Sequence, residues 1–366
     1  MDLDSRYLTH EECVGYTLRK LYAGFGYSPY KLSKFEPYDL YAENRSFLAG
    51  EHILTFHDLN GKLMALKPDL TLSIMKNYRA GQQKVYYNEY VYREGSGERE
   101  FREIPQAGIE CIGKLDAYEQ FEVLYLAAES MKRISEKWIL NVASMRTVEG
   151  LLEETDTDKE TRNALLTCLR QKNVPGMEKQ CRIAGLDDTR TAAWKTAAAL
   201  YGPLSSAIGR LEAVTMNDTM RGAVEELRKV QSLFDMTNDG ACVHLDFSII
   251  SDRSYYNGIV FKGFAQGVHT EVLSGGRYDH LAEHLGKKAE AIGFAVYLDL
   301  LNQIFPAAKR SAPDVRLCYG ASADPKDVFQ KALALRQEGK SVFVESEESD
   351  TNVETSTIFP GKDGIE

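Results

Sequence analysis

The fold is decided by the consecutive segments VYYNEYVYR (85–93), EGSGEREFRE (94–103) and IPQAGIECIG (104–113). The first and last segments alternate between polar and apolar residues with a period of two, which is typical of strands with one buried face. The charged, glycine-containing middle segment predicts a mobile loop that joins the two strands as an antiparallel pair. We therefore expect an antiparallel sheet at the centre of the molecule.

The chain before this pair predicts one helix and several short strands. Apolar residues recur at helical spacing over 6–25, so an amphipathic helix opens the chain. Between residues 38 and 66 the apolar runs shorten to strand length, and Asn60 and Gly61 predict a hairpin turn between the last two of them.

The chain after the pair continues the sheet and adds helices. Asp116 and Glu119 have the spacing of a capping box, which predicts the start of a helix. Residues 146–240 are rich in Ala, Leu and charged residues and predict a helical insertion. Strands are predicted for the runs WILNVAS (138–144), VHLDFSII (243–250), YYNGIVFKGF (255–264), TEVL (270–273) and IGFAVYL (292–298).

This order predicts an α+β fold, in which an antiparallel sheet is flanked by helices. The sheet and its helices form a core of residues 1–306 that includes the insertion, and 305–314 reads as a linker. Residues 307–366 predict a small C-terminal α/β segment, with one helix between two strands and a polar tail.

Composition excludes several classes of protein. The 366 residues include 44 Lys and Arg against 54 Asp and Glu, a net charge of −10, and 43% are hydrophobic. Disordered and collagen-like chains lack such an apolar fraction, and the acidic balance argues against non-specific nucleic-acid binding. No run approaches the ~18 apolar residues of a membrane span, and the start MDLDSRYLTHEEC does not resemble a signal peptide. We expect a soluble cytoplasmic protein.

Cysteine and histidine spacing gives little support for a metal site. The six cysteines lie far apart without a CxxC pair, which predicts reduced and mostly buried thiols. His280 and His284 are four residues apart on a predicted helix and could chelate a metal. No third ligand lies near them in sequence, which favours a solvated helix face. We expect neither a metal nor another cofactor.

Polar side chains in an apolar strand are candidate ligand contacts. Gln106, Gly108 and Glu110 alternate along their strand and so point to one face. Burying the Gln and Glu side chains unpaired is unfavourable, so they face either a ligand or solvent. Asp69 and Thr71 follow a predicted strand, and the simplest local explanation is that one of them caps the next helix.

Other local patterns have structural explanations as well. Arg93 beside Glu94 could form a surface ion pair. The tyrosines of SYYNG (254–258) and GGRYD (275–279) could be core aromatics, and the glycine pair of GGRYD is typical of a tight turn. The chain has no P-loop, dinucleotide-binding glycine motif, HExxH motif or nucleophile elbow.

Considered together, these segments resemble the catalytic core of the class II histidyl-tRNA synthetase family. The matching segments, which occur in the family's order, are KPDLTLSI (67–74), VYREGSGEREFREIPQAGIECIG (91–113), SYYNGIVF (254–261), LSGGRYDHLAEHLG (273–286) and IGFAVYLDLL (292–301). The resemblance covers about residues 6–305. It implies a homodimer that forms through the first helix and the segment SPYKLSKFEPYDLYAE (28–43).

The resemblance also implies a histidine pocket. The residues that match the family's histidine contacts are Asp69, Thr71, Gln106, Glu110, Tyr256 and Tyr278. Asp69 and Thr71 match positions that bind the α-amino group, whereas Glu110 and Tyr256 match positions that bind the imidazole. This chemistry is reasonable, because a carboxylate attracts an ammonium group, and Glu and Tyr can serve the two ring nitrogens.

The resemblance places Arg93 at the family's ATP α-phosphate contact, but two catalytic cations are missing. Ser251 stands where the synthetases carry an arginine that acts in adenylation, and Asp299 and Leu300 stand where they carry a glutamate-arginine pair. Without these cations the charge on a pentacovalent phosphate is poorly stabilised. We expect no catalytic residues and nearly no adenylate formation.

This combination resembles the regulatory subunits of ATP phosphoribosyltransferase, which are paralogues of the synthetases in histidine biosynthesis. That resemblance implies a non-catalytic subunit that binds no tRNA and assembles with a short catalytic subunit, which joins ATP to phosphoribosyl pyrophosphate. It also implies that the subunit is required for activity and for feedback by histidine. A histidine pocket without catalytic cations is suited to sensing.

Two alternatives remain open at this point. The first is a divergent histidyl-tRNA synthetase or another aminoacyl-adenylate-forming enzyme. Arg253 lies two residues after Ser251, so on a strand it would face the same way and could contact a carboxylate. The second is a purely structural dimerisation module, which would leave the pocket residues idle.

Overall fold

The computed structural model describes residues 8–48, 52–94, 100–250, 255–304, 313–320 and 322–346, together with the backbone of 355–356. The chain divides into two compact units, Met1–Pro306 and Ala307–Glu366.

The first unit combines helices with two sheets. Its α-helices are α1 (His10–Gly24), α2 (Tyr38–Glu43), α3 (Thr71–Asn77), α4 (Ala117–Ile134), α5 (Met145–Glu153), α6 (Lys159–Arg170), α7 (Val174–Ile183), α8 (Asp188–Ala199), α9 (Leu204–Glu212), α10 (Asp218–Thr237) and α11 (Asp279–His284). Its strands are β1 (Ser28–Pro29), β2 (Phe35–Pro37), β3 (Thr55–His57), β4 (Leu63–Leu66), β5 (Gln83–Glu94), β6 (Phe101–Gly113), β7 (Trp138–Ser144), β8 (Tyr201–Pro203), β9 (Val243–Asp246), β10 (Ile259–Ala265), β11 (Leu273–Arg277) and β12 (Glu290–Tyr297).

Nine of the described strands form the main sheet, in the order β1-β5-β6-β12-β11-β10-β7-β9-β8. The predicted central pair is confirmed, because β5 and β6 are antiparallel from Gln83 opposite Ile112 to Glu94 opposite Phe101. The sheet is not purely antiparallel, however. β1 runs parallel to β5, and β7 runs parallel to β9. The α+β class predicted from the sequence is confirmed.

The two faces of β6 have different environments, as its alternation predicts. Ala107, Ile109 and Cys111 belong to the main hydrophobic core, together with residues of α1 and α4. Helix α4 begins with the predicted capping box, in which Asp116 and Glu119 each accept a hydrogen bond from the other's backbone amide. These helices cover one face of the central strands, and the opposite face packs against a second hydrophobic cluster that includes residues of α2, α3 and α11.

A small second sheet, ordered β2-β4-β3, precedes the central pair. The predicted hairpin joins β3 to β4, and Gly61 in its turn has a φ of 76°. The strand-like interpretation of the chain from residue 38 was wrong at its start, where α2 forms. Helix α2 is stabilised by burial of Leu40 and Tyr41 rather than by local sequence pattern, and the Tyr41 hydroxyl lies 3.3 Å from that of Ser73.

The segment predicted as a helical insertion contains α5 to α10, but it is not entirely helical. Strand β8 lies within it and pairs with β9, so that Gly202 is opposite Leu245. The insertion therefore contributes an edge strand to the main sheet. Three residues are too few to give a strand pattern in the sequence.

The glycine pair Gly275 and Gly276 lies in strand β11, and the tight turn predicted there was wrong. A Cβ atom on Gly275 would lie 2.4 Å from the Gly293 carbonyl oxygen and 2.4 Å from the Phe294 Cβ. Both glycines are needed because the neighbouring strand and its side chains approach the backbone closely.

The second unit contains β13 (Val315–Tyr319), α12 (Pro325–Gln337), β14 (Val342–Ser346) and β15 (Thr355–Ser356). Strands β13 and β14 are parallel and are connected through α12, and β15 adds to β13 in the antiparallel sense. Helix α12 is capped by Asp324, whose side chain accepts from the Lys326 amide. The residues predicted as a linker lie mostly outside the described residues.

Other sequence expectations concern membranes, thiols and metals. Over the described parts of the chain, no helix is both long and apolar enough to cross a bilayer. None of the six cysteines, all of which lie among the described residues, forms a disulfide, and four of them are buried. His280 and His284 lie on α11, and the described residues contain no cluster of at least three His, Cys, Asp or Glu side chains suited to a metal ion.

The close approach at Gly275 predicts that Gly275→Ala destabilises the protein by about 1–3 kcal/mol, because the added methyl overpacks the centre of the sheet. As a control, Gly209→Ala in α9 meets no atom within 4 Å and should stabilise the protein by about 0.5–1 kcal/mol. Urea unfolding monitored by circular dichroism measures both. Equal effects of the two substitutions would contradict this account of the sheet.

Candidate functional site

One pocket on the face of the main sheet opposite α1 and α4 collects the side chains singled out in the sequence. Its cavity volume is about 70 Å³. The predicted residues that line it are Asp69, Thr71, Arg93, Gln106, Glu110, Tyr256 and Tyr278. These residues come from segments up to about 200 positions apart in the chain, so only the tertiary fold brings them together.

Glu110 lies at the base of this pocket, with only 1% of its surface exposed. Thr71 Oγ1 donates a hydrogen bond of 2.7 Å to its Oε1, and the Tyr278 hydroxyl donates to its Oε2. Burial raises the pKa of Glu110 to about 8, although these two hydrogen bonds act in the opposite direction. The carboxyl group therefore has neutral donors as its observed partners.

Glycines create the space around Glu110. Strand pairing aligns Glu110 with Gly293 of β12 and then with Gly276 of β11. A Cβ atom on Gly293 would lie 1.8 Å from Glu110 Oε2, and one on Gly276 would lie 2.6 Å from the ring of Tyr256. Because Gly293 and Gly276 have no side chains, the Glu110 and Tyr256 side chains can lie directly against the strand backbone.

Asp69 both caps a helix and lines the pocket. Its Oδ1 accepts a hydrogen bond of 2.7 Å from the Leu72 amide in the first turn of α3. Burial raises the pKa of Asp69, while the Leu72 amide and the Arg93 guanidinium oppose that shift. The capping explanation is therefore correct for Asp69, whereas the Thr71 hydroxyl faces Glu110 instead.

Arg93 lies in the pocket wall rather than only at the surface. Its Nε donates a hydrogen bond of 2.9 Å to the Pro68 carbonyl oxygen, directly before Asp69. The guanidinium therefore fixes the segment that carries Asp69, and it supplies a positive charge near the two carboxyl groups.

Several lining residues were not identified from the sequence. They are Tyr87, Tyr255, Ser274, Gly293 and Tyr297. For Tyr87 a signal existed, because it alternates along β5 and pairs with Gly108, whose missing side chain makes room for its hydroxyl. The others depend on register between distant strands, which the sequence alone does not reveal.

The predicted carboxylate contact Arg253 and the neighbouring Ser251 lie outside the described residues. Asp299 follows β12 in a 3-10 turn, and its Oδ1 is buried without a hydrogen-bond partner among the described residues. Burial raises the pKa of Asp299, and backbone amides, Arg102 and Arg93 oppose the shift. An acidic group therefore lies within electrostatic range of Arg93.

The arrangement favours a small ligand that carries both positive charge and hydrogen-bond donors. Asp69, which is half-buried, and Glu110, which is buried, are carboxyl groups that line the pocket, and Arg93 is the cation that lines the same pocket in the described structure. Tyr255, Tyr256 and Tyr278 add flat aromatic surface, and Tyr255 packs against each of the other two with ring centroids 4.6 and 5.9 Å apart.

Comparison with known proteins identifies the family. The family model described as histidyl-tRNA synthetase matches residues 1–301. The chain belongs to the histidyl-tRNA synthetase family. The resemblance inferred from the sequence is confirmed, and so is the synthetase-like fold.

Proteins that are similar to this chain carry a second name. A protein of Acetivibrio thermocellus named ATP phosphoribosyltransferase regulatory subunit is 26% identical over 361 residues, which are 95% of this chain and 85% of that protein. A structure from Bacillus halodurans C, described as an ATP phosphoribosyltransferase regulatory subunit/histidyl-tRNA synthetase, has a TM-score of 0.78 at 22% identity. That similarity covers 93% of this chain and 90% of the other.

A chain of the ATP phosphoribosyl transferase complex from Thermotoga maritima also has the histidyl-tRNA synthetase family fold. Its TM-score is 0.62 at 19% identity, over 79% of this chain and 97% of the other. At 22% and 19% sequence identity, these two structural similarities show a shared fold and no more than that.

The environment of Glu110 predicts a pH-dependent stability. Because its pKa rises from the ordinary 4.5 to about 8, the folded protein retains a proton that the unfolded chain releases between these values. The free energy of unfolding should therefore fall as pH rises across this window. Glu110→Gln should show a shallower fall, since the amide does not titrate.

Urea unfolding at several pH values between 5 and about 8 measures this difference. Glu225→Gln on the exposed side of α10 provides the matched control and should reproduce the wild-type slope. Identical slopes for wild type and Glu110→Gln would exclude a protonated Glu110 in the free pocket.

Proposed function

We propose that this chain is a non-catalytic regulatory subunit of ATP phosphoribosyltransferase that binds histidine in the described pocket. It assembles with a short catalytic subunit and makes that subunit active and sensitive to histidine. The observation that carries the proposal is that the side chains matching a histidine site share one pocket, while Ser251 and Leu300 stand where the family's catalytic arginines are expected.

Histidine suits this pocket at both of its ends. Its α-ammonium group pairs with Asp69, near Thr71 and Gln106, and its imidazole lies toward Glu110, Tyr256 and Tyr278. A buried carboxyl group whose other partners are hydroxyls gains most from a ligand that brings an N–H donor.

The nucleotide half of the site supports a sensor rather than a synthetase. Stabilising a pentacovalent phosphate requires cations, and the sequence has Ser251, Asp299 and Leu300 where the family's catalytic charged residues are expected. ATP activation and tRNA charging are therefore absent from the proposed function.

The names of the relatives support the proposed partner. The alignment with this chain covers 85% of the Acetivibrio thermocellus relative, and that relative is named ATP phosphoribosyltransferase regulatory subunit. The proposal includes a cytoplasmic homodimer, formed through α1 and the following segment 28–43, within a larger hetero-oligomer. It includes no tRNA, membrane or cofactor partner.

The proposed pose predicts that Glu110→Ala weakens histidine binding about ten- to a hundredfold, as expected when the imidazole loses its hydrogen-bond partner in a closed pocket. Arg93→Ala should weaken it less, because the observed contact of Arg93 is to the Pro68 carbonyl oxygen. Isothermal titration calorimetry with the three proteins measures these affinities. Absence of histidine binding at millimolar concentration, or an unchanged affinity of Glu110→Ala, would contradict the pose.

Reconstitution tests the regulatory role. Adding this chain to a short catalytic subunit of ATP phosphoribosyltransferase should raise its activity and make it inhibitable by histidine, and Glu110→Ala should activate without conferring the inhibition. The chain alone should catalyse no histidine-dependent pyrophosphate exchange. Robust exchange would instead establish the competing function, a divergent adenylate-forming enzyme that uses the retained Arg93.

A further inference from the structure

Lys67 is a charged residue inside the protein that the proposed histidine contacts do not use. Its side chain is 0% exposed, and its Nζ lies 3.2 Å from Oε2 of Glu89. Burial of a lysine is rare unless a specific partner compensates for the lost hydration. Lys67 also lies two residues before Asp69, which suggests a role in the neighbouring pocket.

We infer that Lys67 and Glu89 are positioning residues that hold the Asp69 carboxylate at the place where it meets the ligand's α-ammonium group. The inference rests on the proposed function, since it concerns how that ligand is recognised. Neither residue contacts the ligand in this account.

The backbone around Lys67 is fixed at several points. Its amide donates to the Lys34 carbonyl oxygen at 3.2 Å, and its own carbonyl accepts from the Tyr92 amide at 3.0 Å. The next carbonyl, of Pro68, accepts from Arg93 Nε at 2.9 Å. The bonds from Tyr92 and Arg93 attach the segment before Asp69 to strand β5, and the Lys67 side chain adds an attachment to Glu89 further along the same strand.

The second end of the ion pair lies beside the pocket. Glu89 of β5 is directly opposite Gln106 of β6 in the antiparallel register, so the two side chains share the pocket face of the sheet. The pair therefore connects the segment carrying Asp69 to the strand pair carrying Gln106 and Glu110. A ligand held at both ends needs a fixed distance between these elements.

The charges around Lys67 favour this fixed position. Burial lowers the pKa of Lys67, and the nearby Lys34 lowers it slightly further. Glu89 and, more weakly, Glu36 raise the pKa of Lys67. A pair in such surroundings contributes little net stability, but loss of one partner leaves the other without compensation. Because the Lys67–Glu89 pair adds little stability, precise placement of Asp69 is a reason for the pair to be present.

The experiment compares two ligands, histidine and deaminohistidine, which lacks the α-amino group. Calorimetry on Lys67→Met should show that the preference for histidine over deaminohistidine shrinks about tenfold relative to wild type, because only histidine uses Asp69. Lys67→Arg, which keeps the charge, should restore most of the preference. A merely structural role would weaken both ligands equally and leave the preference unchanged.

A matched control lies on the same part of the chain. Lys76 of α3 forms an ion pair with Glu36 at 3.0 Å, and neither residue lines the pocket. Lys76→Met should therefore keep the wild-type preference. If Lys67→Met does not fold, Glu89→Gln removes the opposite charge of the pair and should reduce the preference in the same way.

The outcomes separate this inference from the proposed function. If wild type binds histidine and both Lys67→Met and Glu89→Gln keep the full preference, the positioning role is wrong and the histidine pocket stands. If wild type binds neither ligand at millimolar concentration, the proposed function itself is wrong, and the positioning role with it.

Discussion

A carboxyl group buried in the middle of a sheet is unfavourable unless nearby groups donate hydrogen bonds to it. Glu110 imposes this constraint on the face of the main sheet opposite α1 and α4. Its two oxygens are satisfied by Thr71, at the start of α3, and by Tyr278, directly before α11. Two segments about 200 residues apart in the chain must therefore meet over β6, and the pocket is the space that they enclose.

The same constraint explains the unusual backbone of the neighbouring strands. Side chains at Gly293 and Gly276 would collide with Glu110 and Tyr256. By themselves these glycines destabilise the strands, because glycine loses more backbone conformational entropy on folding than other residues and has no apolar side chain to bury. The sheet tolerates them because its opposite face packs against the main hydrophobic core.

The scaffold of a histidyl-tRNA synthetase is well suited to a sensor. Recognition of an amino acid and activation of ATP use adjacent but chemically different halves of such a site. In the proposed function, the amino acid half is the pocket that collects these polar residues, whereas the other half lacks the family's arginines at Ser251 and Leu300. Loss of catalysis then need not disturb binding, because the Glu110 network does not involve the missing cations.

The sequence by itself determined the features that arise from local patterns. The alternation over 85–113 predicted β5, β6 and the face on which Gln106 and Glu110 lie, and Asp116 with Glu119 predicted the start of α4. Local periodicity and capping are encoded within a few residues, so they can be read without the fold. The resemblance to the family added the remaining candidate residues of the pocket.

Only the tertiary structure decided the features that depend on distant partners. Gly275 and Gly276 lie within strand β11 instead of a turn, where β12 and Tyr256 approach their backbone closely, and α2 forms because Leu40 and Tyr41 are buried. Strand register likewise brought Gly293 beside Glu110. Such choices are set by packing between segments far apart in the chain, and no local pattern carries that information.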